Sequence, residues 1–115
     1  MSPRKYEIYR EKFPLGESED LRFWLVIGDP RPQPGSTPPV YEVVVIPLST
    51  QFDLFNDRLH FPIRQNHENF QATGLTRNSY VIGEKPTRVP VELLHRRRGE
   101  LVGDLLLEFK EWAGG

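Results

Sequence analysis

Residues 43–50 read Val-Val-Val-Ile-Pro-Leu-Ser-Thr, and this stretch carries the strongest β-strand signal in the chain. Four consecutive β-branched residues favour an extended backbone that packs well on a sheet, and Pro47 removes a backbone donor near the end of the run. We therefore predict a central strand in the segment 40–48, and we expect its pairing to end at Pro47. The hydroxyl side chains of Ser49 and Thr50 would then lie directly beyond the strand.

Shorter apolar runs on both sides of this segment predict the rest of a small curled sheet. Residues 5–13 and 21–28 precede it, and the second run is nearly continuous in apolar residues, as in a strand buried on both faces. Residues 58–63 and 79–82 follow it, and Pro62 favours a sheet edge for the first of these.

A proline-rich segment and a change of period complete the predicted architecture. Residues 29–39 contain five prolines, which fix φ and remove donors, so we expect an exposed polyproline-like loop between strands. Near the C-terminus the apolar residues recur at three and four positions, which predicts one amphipathic helix that closes the domain. These residues are Leu101, Val102, Leu105, Leu106, Phe109 and Trp112.

Length and charge limit the possible classes of protein. The 115 residues suit a single domain spanning 1–115, and 15 basic against 16 acidic residues give a formal charge of -1. Any contact with nucleic acid must therefore come from a local patch, because a dedicated nucleic-acid-binding domain is strongly basic. The charged N-terminus and the short apolar runs lead us to expect a soluble, cytoplasmic protein.

The sequence carries no pattern that predicts a cofactor or a metal site. It has no cysteine, so thiolate chemistry, disulfides and zinc-finger patterns are excluded. Its histidines, His60, His67 and His95, lack the spacing of metal ligands on one helix face, and no glycine-rich phosphate loop or nucleophile elbow is present.

Two predicted strand ends could frame one small polar site. Arg22 begins the second strand, and Ser49 and Thr50 follow the central one. A guanidinium binds phosphoryl oxygens as a planar fork, and a hydroxyl can donate to them, so this pair suits a phosphodiester. The competing interpretation is a surface ion-pair cluster, since Glu17, Glu19 and Asp20 lie just before Arg22, beside an ordinary turn at Ser49.

The order of the segments adds a resemblance that covers nearly the whole chain. An Arg-plus-apolar strand at 21–29 is followed by the Val-rich strand ending Pro-Leu-Ser-Thr, then by Thr-Gly-Leu at 73–75, Ser-Tyr-Val at 79–81, and Gly-Glu-Leu at 99–101 before the helix. This succession resembles the MazF/PemK/Kid family of toxin endoribonucleases. The resemblance implies a curled antiparallel sheet of SH3-like barrel type with a C-terminal α-helix. It also implies a homodimer, an antitoxin protein as partner, and cleavage of single-stranded RNA without a metal ion or other cofactor.

The same resemblance assigns roles to individual residues. Arg22 matches the catalytic arginine of the family, Ser49 matches its catalytic threonine with Thr50 as neighbour, and Glu17 falls where a loop glutamate touches substrate. Phe23 stands where the family usually has proline, and the further basic residue of the Kid branch falls on Ile82. The expected substrate-binding residues are Glu17, Arg10, Glu84, Arg96 and Arg97.

Two other interpretations remain open at the level of sequence. Residues 5–10, 45–49 and the C-terminal Trp-Ala-Gly at 112–114 also resemble CcdB, a toxin that poisons DNA gyrase without nuclease chemistry. A core tryptophan followed by a glycine tail explains the same C-terminus, and the chain could be a catalytically inactive SH3-like binding module. The run His-Arg-Arg-Arg at 95–98 suits either a phosphate-binding patch or a solvated turn.

Overall fold

A computed structural model describes residues 2–13 and 21–114. Within these ranges the chain forms eight strands and one α-helix, joined in part by short 3-10 turns at Phe52–Leu54, Gln71–Thr73 and Val91–Leu93. The strands and the helix are β1 (Glu7–Glu11), β2 (Arg22–Val26), β3 (Arg31–Pro32), β4 (Tyr41–Ser49), β5 (His60–Ile63), β6 (Ser79–Ile82), β7 (Thr87–Pro90), β8 (Arg97–Glu100) and α1 (Gly103–Gly114). None of the helical segments in the described part of the chain has the length and apolar character needed to cross a membrane.

The strands pair antiparallel in the order β5-β6-β4-β2-β1-β8, and β3 and β7 both pair with β4 as well. β4 is therefore the centre of the sheet, as its apolar sequence predicts. β5, which contains Pro62, pairs with β6 at one end of this order, so the predicted edge position is confirmed. The predicted architecture, a curled antiparallel sheet with one C-terminal helix, is confirmed.

The prediction that the central strand ends at Pro47 is wrong. β4 continues to Ser49. Pro47 lies opposite Trp24 of β2, whereas Leu48 and Ser49 pair with Val81 and Tyr80 of β6. The strand changes partner at the proline, so the missing N–H falls where one ladder gives way to the next. Ser49 is consequently the last residue of the strand and not the first residue of a turn.

Alternation along the strands divides the core into two clusters. Ile8, Leu25 and Ile46 belong to the cluster that packs against α1, where Leu105 and Phe109 are buried. Their strand neighbours face the other way and form the second cluster, in which Phe13 and Trp24 pack at 4.8 Å between ring centroids. Both faces of the sheet are thus covered, and its strand ends are left to carry polar groups.

Three strands were not predicted from the sequence: β7, β8 and the short strand β3 within the proline-rich segment. The basic run at 95–98 runs into β8, a sheet-edge strand that pairs with β1. Within β8, Gly99 packs against the backbone of Ala72 and Thr73, where a Cβ would not fit. β7 also lacks an apolar run and pairs with β4 along its length. The proline-rich segment is exposed as expected, but it contains the short strand β3.

Candidate active site

The register of the sheet brings the two predicted strand ends together. β2 and β4 are antiparallel, with Trp24 opposite Pro47 and Leu25 opposite Ile46. The pairing ends there, and Arg22 lies two residues before Trp24 while Ser49 lies two residues after Pro47, so both residues come just beyond the paired stretch. β6 lies on the other side of β4, with Tyr80 opposite Ser49, so the beginning of β6 reaches the same edge.

A cleft with a cavity volume of about 370 Å³ opens at this edge. It contains Arg22, Ser49 and Thr50, which the sequence predicts as catalytic, and Arg10, which it predicts as substrate-binding. Other residues lining it include Leu21, Phe23, Gln51, Thr76, Arg77 and Ser79. The fold therefore assembles one site from the ends of β1, β2 and β4 and from the turn that leads into β6.

The described part of the cleft is strongly positive. Arg10, Arg22 and Arg77 line it, no carboxylate among the described residues does, and none of the three arginines has an ion-pair partner within residues 2–13 and 21–114. The guanidinium carbon of Arg10 lies 5.5 Å from the ring centroid of Phe23, and Arg10 Nε is buried without a hydrogen-bond partner. A buried guanidinium N–H that lacks an acceptor favours binding of an anion.

The backbone orients the hydroxyl of Ser49. Ser49 Oγ accepts a hydrogen bond from the N–H of Gln51 at 3.1 Å, so its own hydroxyl proton remains available to a ligand. The carbonyl of Gln51 in turn accepts the hydroxyl of Tyr80 at 2.9 Å. Tyr80 is buried, and this bond fixes the segment after β4 beside the cleft. Thr50 is exposed at the same edge.

Three residues that the sequence predicts as substrate-binding lie elsewhere. Glu84 Oε1 lies 3.0 Å from His60 Nε2, and Glu84 does not line the cleft. Arg97 is bound by Glu7 at 2.6 Å and by Glu100 at 3.3 Å. Arg96 is exposed outside the cleft. Glu17, which the sequence also predicts as substrate-binding, lies outside the described residues.

Buried carboxylates hold the basic run against the sheet. The carboxylate of Glu11 accepts hydrogen bonds from the backbone N–H groups of His95 and Arg96 at 2.7 and 2.6 Å. Glu7 is slightly more buried than Glu11 and binds the side chain of Arg97. These contacts have a structural purpose, because they join β8 to β1 and satisfy donors at the sheet edge.

The Glu7 network shifts the ionisation of its members. Burial alone would raise the pKa of the Glu7 carboxyl, but hydrogen bonds from the N–H of Arg4, from Arg97 and from the hydroxyl of Tyr9 hold that pKa below its ordinary value. Burial, together with the charge and hydrogen bond of Glu7, raises the pKa of Tyr9 to about 12. The hydrogen bond to Glu7 raises the pKa of Arg97. At neutral pH the pair is charged, and Tyr9 is a neutral donor.

Arg77 is the basic residue of the cleft that the sequence reasoning missed. It stands between the Thr-Gly-Leu segment and Ser79, in a turn whose direction no periodicity encodes. Arg77 comes two residues before the predicted strand 79–82, and this position could have indicated that it lies near the end of β4, because Ser49 and the start of β6 share one edge.

Over residues 2–13 and 21–114, no three acidic or histidine side chains are grouped as ligands for a metal ion.

The architecture matches that of a known toxin along almost its whole length. The Mycobacterium tuberculosis toxin MazF-mt6 superposes with a TM-score of 0.62 and covers 96% of this chain, which in turn covers 93% of that toxin. The chain has a MazF-like fold. Sequence identity over this match is 18%, no protein-family model matches the chain, and no curated protein matches it. The MazF-like fold therefore rests on shape and topology, and its sheet edge is where the arginine-lined cleft opens.

Proposed function

We propose that this protein is the toxin of a toxin–antitoxin system and that it cleaves single-stranded RNA at the arginine-lined cleft without a metal ion. The observation that carries the proposal is the meeting of Arg22, Arg10 and Arg77 with the hydroxyl of Ser49 in one cleft free of described carboxylates. Several arginines in one cleft can bind the successive phosphodiesters of an RNA strand, and a hydroxyl beside them can donate to a phosphoryl oxygen. The MazF-like fold supports the same assignment.

The chemistry that fits these groups is attack of the RNA on itself. The 2′-oxygen forms a bond to the adjacent phosphorus, the bond from phosphorus to the 5′-oxygen breaks, and the proton lost by the 2′-hydroxyl is balanced by one gained at the leaving oxygen. The products are a cyclic phosphate and a 5′-hydroxyl end. Arg22 stabilises the charge that develops on the phosphoryl oxygens, while Ser49 and Thr50 orient a phosphate oxygen or the attacking hydroxyl.

The remaining cleft arginines extend the contact to the RNA backbone. Arg10 lines the cleft beside Phe23 and has no ion-pair partner among the described residues, and Arg77 lines it from the turn before β6. Each neutralised phosphate releases counterions, so binding of RNA weakens as salt rises. Phe23 offers an aromatic surface on which a base can stack.

The partners follow from the same proposal. A toxin of this fold needs an antitoxin protein, and we propose that the active form is a homodimer in which two copies present their clefts together. Light scattering of purified protein at micromolar concentration is expected to give twice the mass of one chain. A monomer at that concentration would contradict the dimer and leave the cleft chemistry to be judged separately.

The test of function is cleavage of a long single-stranded RNA by purified protein, with the new ends mapped. We expect 5′-hydroxyl ends and cyclic phosphates, and we expect the activity to persist in EDTA. Duplex RNA of the same sequence serves as the control and is expected to resist cleavage. Absence of cleavage together with inhibition of gyrase supercoiling would assign the protein to the CcdB-like alternative. Absence of both would leave the inactive binding module.

A further inference from the structure

The segment that follows β4 carries both cleft hydroxyls and lies against two buried side chains of β5 and β6. Ser49 ends β4 opposite Tyr80 of β6, and Thr50 and Gln51 come next. Tyr80 is 2% exposed and His60 of β5 is 8% exposed, and neither lines the cleft. These two side chains therefore do not touch a ligand in the cleft, but they contact the segment that carries the hydroxyls.

Tyr80 holds this segment through its hydroxyl group. The hydroxyl donates to the carbonyl of Gln51 at 2.9 Å, and the N–H of Gln51 donates to Ser49 Oγ at 3.1 Å. The same carbonyl also accepts from the N–H of Leu54 at 3.0 Å, so both of its lone pairs are occupied. Because Thr50 lies between Ser49 and Gln51, fixing Gln51 restricts the positions of both hydroxyls.

The ring of His60 packs on Tyr80 in turn. The two rings stack with 4.7 Å between their centroids and 25° between their planes. The rings of Phe52 and Phe55 also pack on Tyr80, with centroids 5.2 and 5.4 Å away. Contact with three rings restricts the Tyr80 ring, so its hydroxyl stays directed at Gln51.

His60 is itself bound at both ring nitrogens. Its Nδ1 accepts the N–H of Asn56 at 2.9 Å, and its Nε2 lies 3.0 Å from Glu84 Oε1. Because Nδ1 is an acceptor here, the neutral ring carries its proton on Nε2 and donates it to Glu84. Tyr80 and His60 therefore anchor the loop 50–56 near both of its ends.

We propose that Tyr80 and His60 are positioning residues for the two hydroxyls of the cleft. Tyr80 sets Gln51 and with it Ser49 and Thr50, while His60 sets Tyr80 and the far end of the loop. Their effect on rate rests on the RNA cleavage proposed above, whereas the hydrogen-bonded path from Tyr80 to Ser49 does not. Misplacing a reacting group by about 1 Å costs up to about 10²-fold in rate, so loosening this path has a measurable effect.

The steady-state kinetics of RNA cleavage test the Tyr80 hydroxyl. Tyr80→Phe keeps the ring and removes only the hydroxyl, and it should lower kcat about tenfold with little change in KM, because the cleft arginines are untouched. Tyr9→Phe is the matched control. It removes another buried hydroxyl, which donates to Glu7 at 3.2 Å, and it should leave kcat unchanged. Unchanged kcat in Tyr80→Phe, or an equal loss in Tyr9→Phe, would overturn the proposal while wild-type cleavage stands.

A triple variant separates positioning from a general loss of stability. Adding Tyr80→Phe to Ser49→Ala with Thr50→Ala should reduce cleavage by less than about twofold more, since no hydroxyl remains to be positioned. Circular dichroism establishes that each variant is folded. A further loss of about tenfold would show that Tyr80 acts on the fold as a whole, and would overturn its assigned role.

His60 and His67 form a second matched pair. His67 Nδ1 accepts the N–H of Asn69 at 3.0 Å, and its Nε2 lies 2.6 Å from Glu108 Oε2, so it makes the same two kinds of contact against α1. Asparagine at either position keeps an acceptor near Nδ1 and removes the ring. His60→Asn should lower kcat about threefold or more because Tyr80 loses its stacked ring, whereas His67→Asn should not. Equal effects would remove His60 from the proposal.

Hydrogen exchange tests the same path without any cleavage. The amide proton of Gln51 is protected by its bond to Ser49 Oγ. Its exchange, followed by NMR, should be about tenfold faster in Tyr80→Phe and in Ser49→Ala and unchanged in Tyr9→Phe. If the wild type cleaves no RNA, the proposed function fails and this measurement still decides whether Tyr80 holds Ser49. Equal exchange of this proton in wild type and Tyr80→Phe would overturn the proposal.

Discussion

Arg97 Nε in β8 donates to the Glu7 carboxylate in β1 at 2.6 Å, and this bond converts part of a basic run into a buried link between strands. The Glu7 side chain is only 5% exposed, whereas that of Arg97 is 42% exposed. The same guanidinium also reaches Glu100 at 3.3 Å, and that carboxylate is 42% exposed. One arginine therefore has a buried partner and an exposed partner, which can be compared directly.

Glu7→Gln is expected to lower the free energy of unfolding by about 1–3 kcal/mol, because it leaves the half-buried guanidinium of Arg97 with a weaker acceptor. Glu100→Gln removes the exposed partner of the same arginine and should cost less than about 0.5 kcal/mol. Denaturant unfolding monitored by circular dichroism measures both. Equal losses in the two variants would show that burial of Glu7 adds nothing to this pair.

The acid side of the stability profile provides a second prediction. The pKa of Glu7 lies below its ordinary value of 4.5 in the folded chain, so the folded state binds this proton more weakly than the unfolded state. The stabilisation is fully present above the unfolded pKa and is lost as pH falls through the folded pKa. Wild-type protein should therefore lose more stability than Glu7→Gln on acidification below pH 4.5, whereas Glu100→Gln should follow the wild type. Parallel profiles for wild type and Glu7→Gln would contradict this.

What the sequence reveals depends on whether the signal is local. β4 and β6 are recognisable from short runs of β-branched and aromatic residues, and α1 is recognisable from the helical spacing of its apolar residues. Arg22 and Ser49 line one cleft because the ends of their strands share an edge. Arg77 could not be placed, because its position depends on the path of a turn.

The same limit explains the basic run. Its backbone is held by Glu11, more than eighty residues earlier, and the strand that it enters pairs with β1 and packs Gly99 against another loop. No periodicity within residues 95–98 reports either contact. Charge alone therefore predicted a phosphate-binding patch or a solvated turn, whereas Arg97 and Arg98 are exposed residues of an edge strand.

Gly74 and Gly35 offer a matched pair for the turn that leads toward the cleft. Both have positive φ, 73° and 77°, so alanine at either position costs about 1 kcal/mol in backbone conformation. At Gly74 the added Cβ would also overlap the carbonyl oxygen of Arg98, whereas nothing lies within 4 Å at Gly35. Gly74→Ala should therefore cost more than about 3 kcal/mol, and Gly35→Ala only the conformational part. Thermal unfolding of both variants measures the difference, and similar values would mean that β8 can shift away from the turn.

The two hydroxyls at the end of β4 are expected to share one role in cleavage. Ser49 is half-buried, with its oxygen bound to the N–H of Gln51, and Thr50 is exposed beside it. Ser49→Ala alone should reduce cleavage modestly, since Thr50 can still donate. Ser49→Ala with Thr50→Ala should reduce it by about 10²-fold or more, the scale of one preorganised donor. Additive small losses in initial rates of RNA cleavage would show that the hydroxyls act separately, or not on the reacting phosphate.

Arg22 is expected to supply the largest share of charge stabilisation in the cleft, because it lines the same cleft as Ser49 at the start of β2. Arg22→Ala should lower RNA cleavage by about 10²–10³-fold while the protein stays folded. Arg22→Lys should restore little, because an ammonium lacks the planar fork that binds two phosphoryl oxygens. Arg31→Ala removes an exposed arginine that lies outside the cleft and serves as the control for net charge. Cleavage rates at fixed ionic strength decide the matter: undiminished activity in folded Arg22→Ala protein, or equal loss in Arg31→Ala, would remove Arg22 from the mechanism.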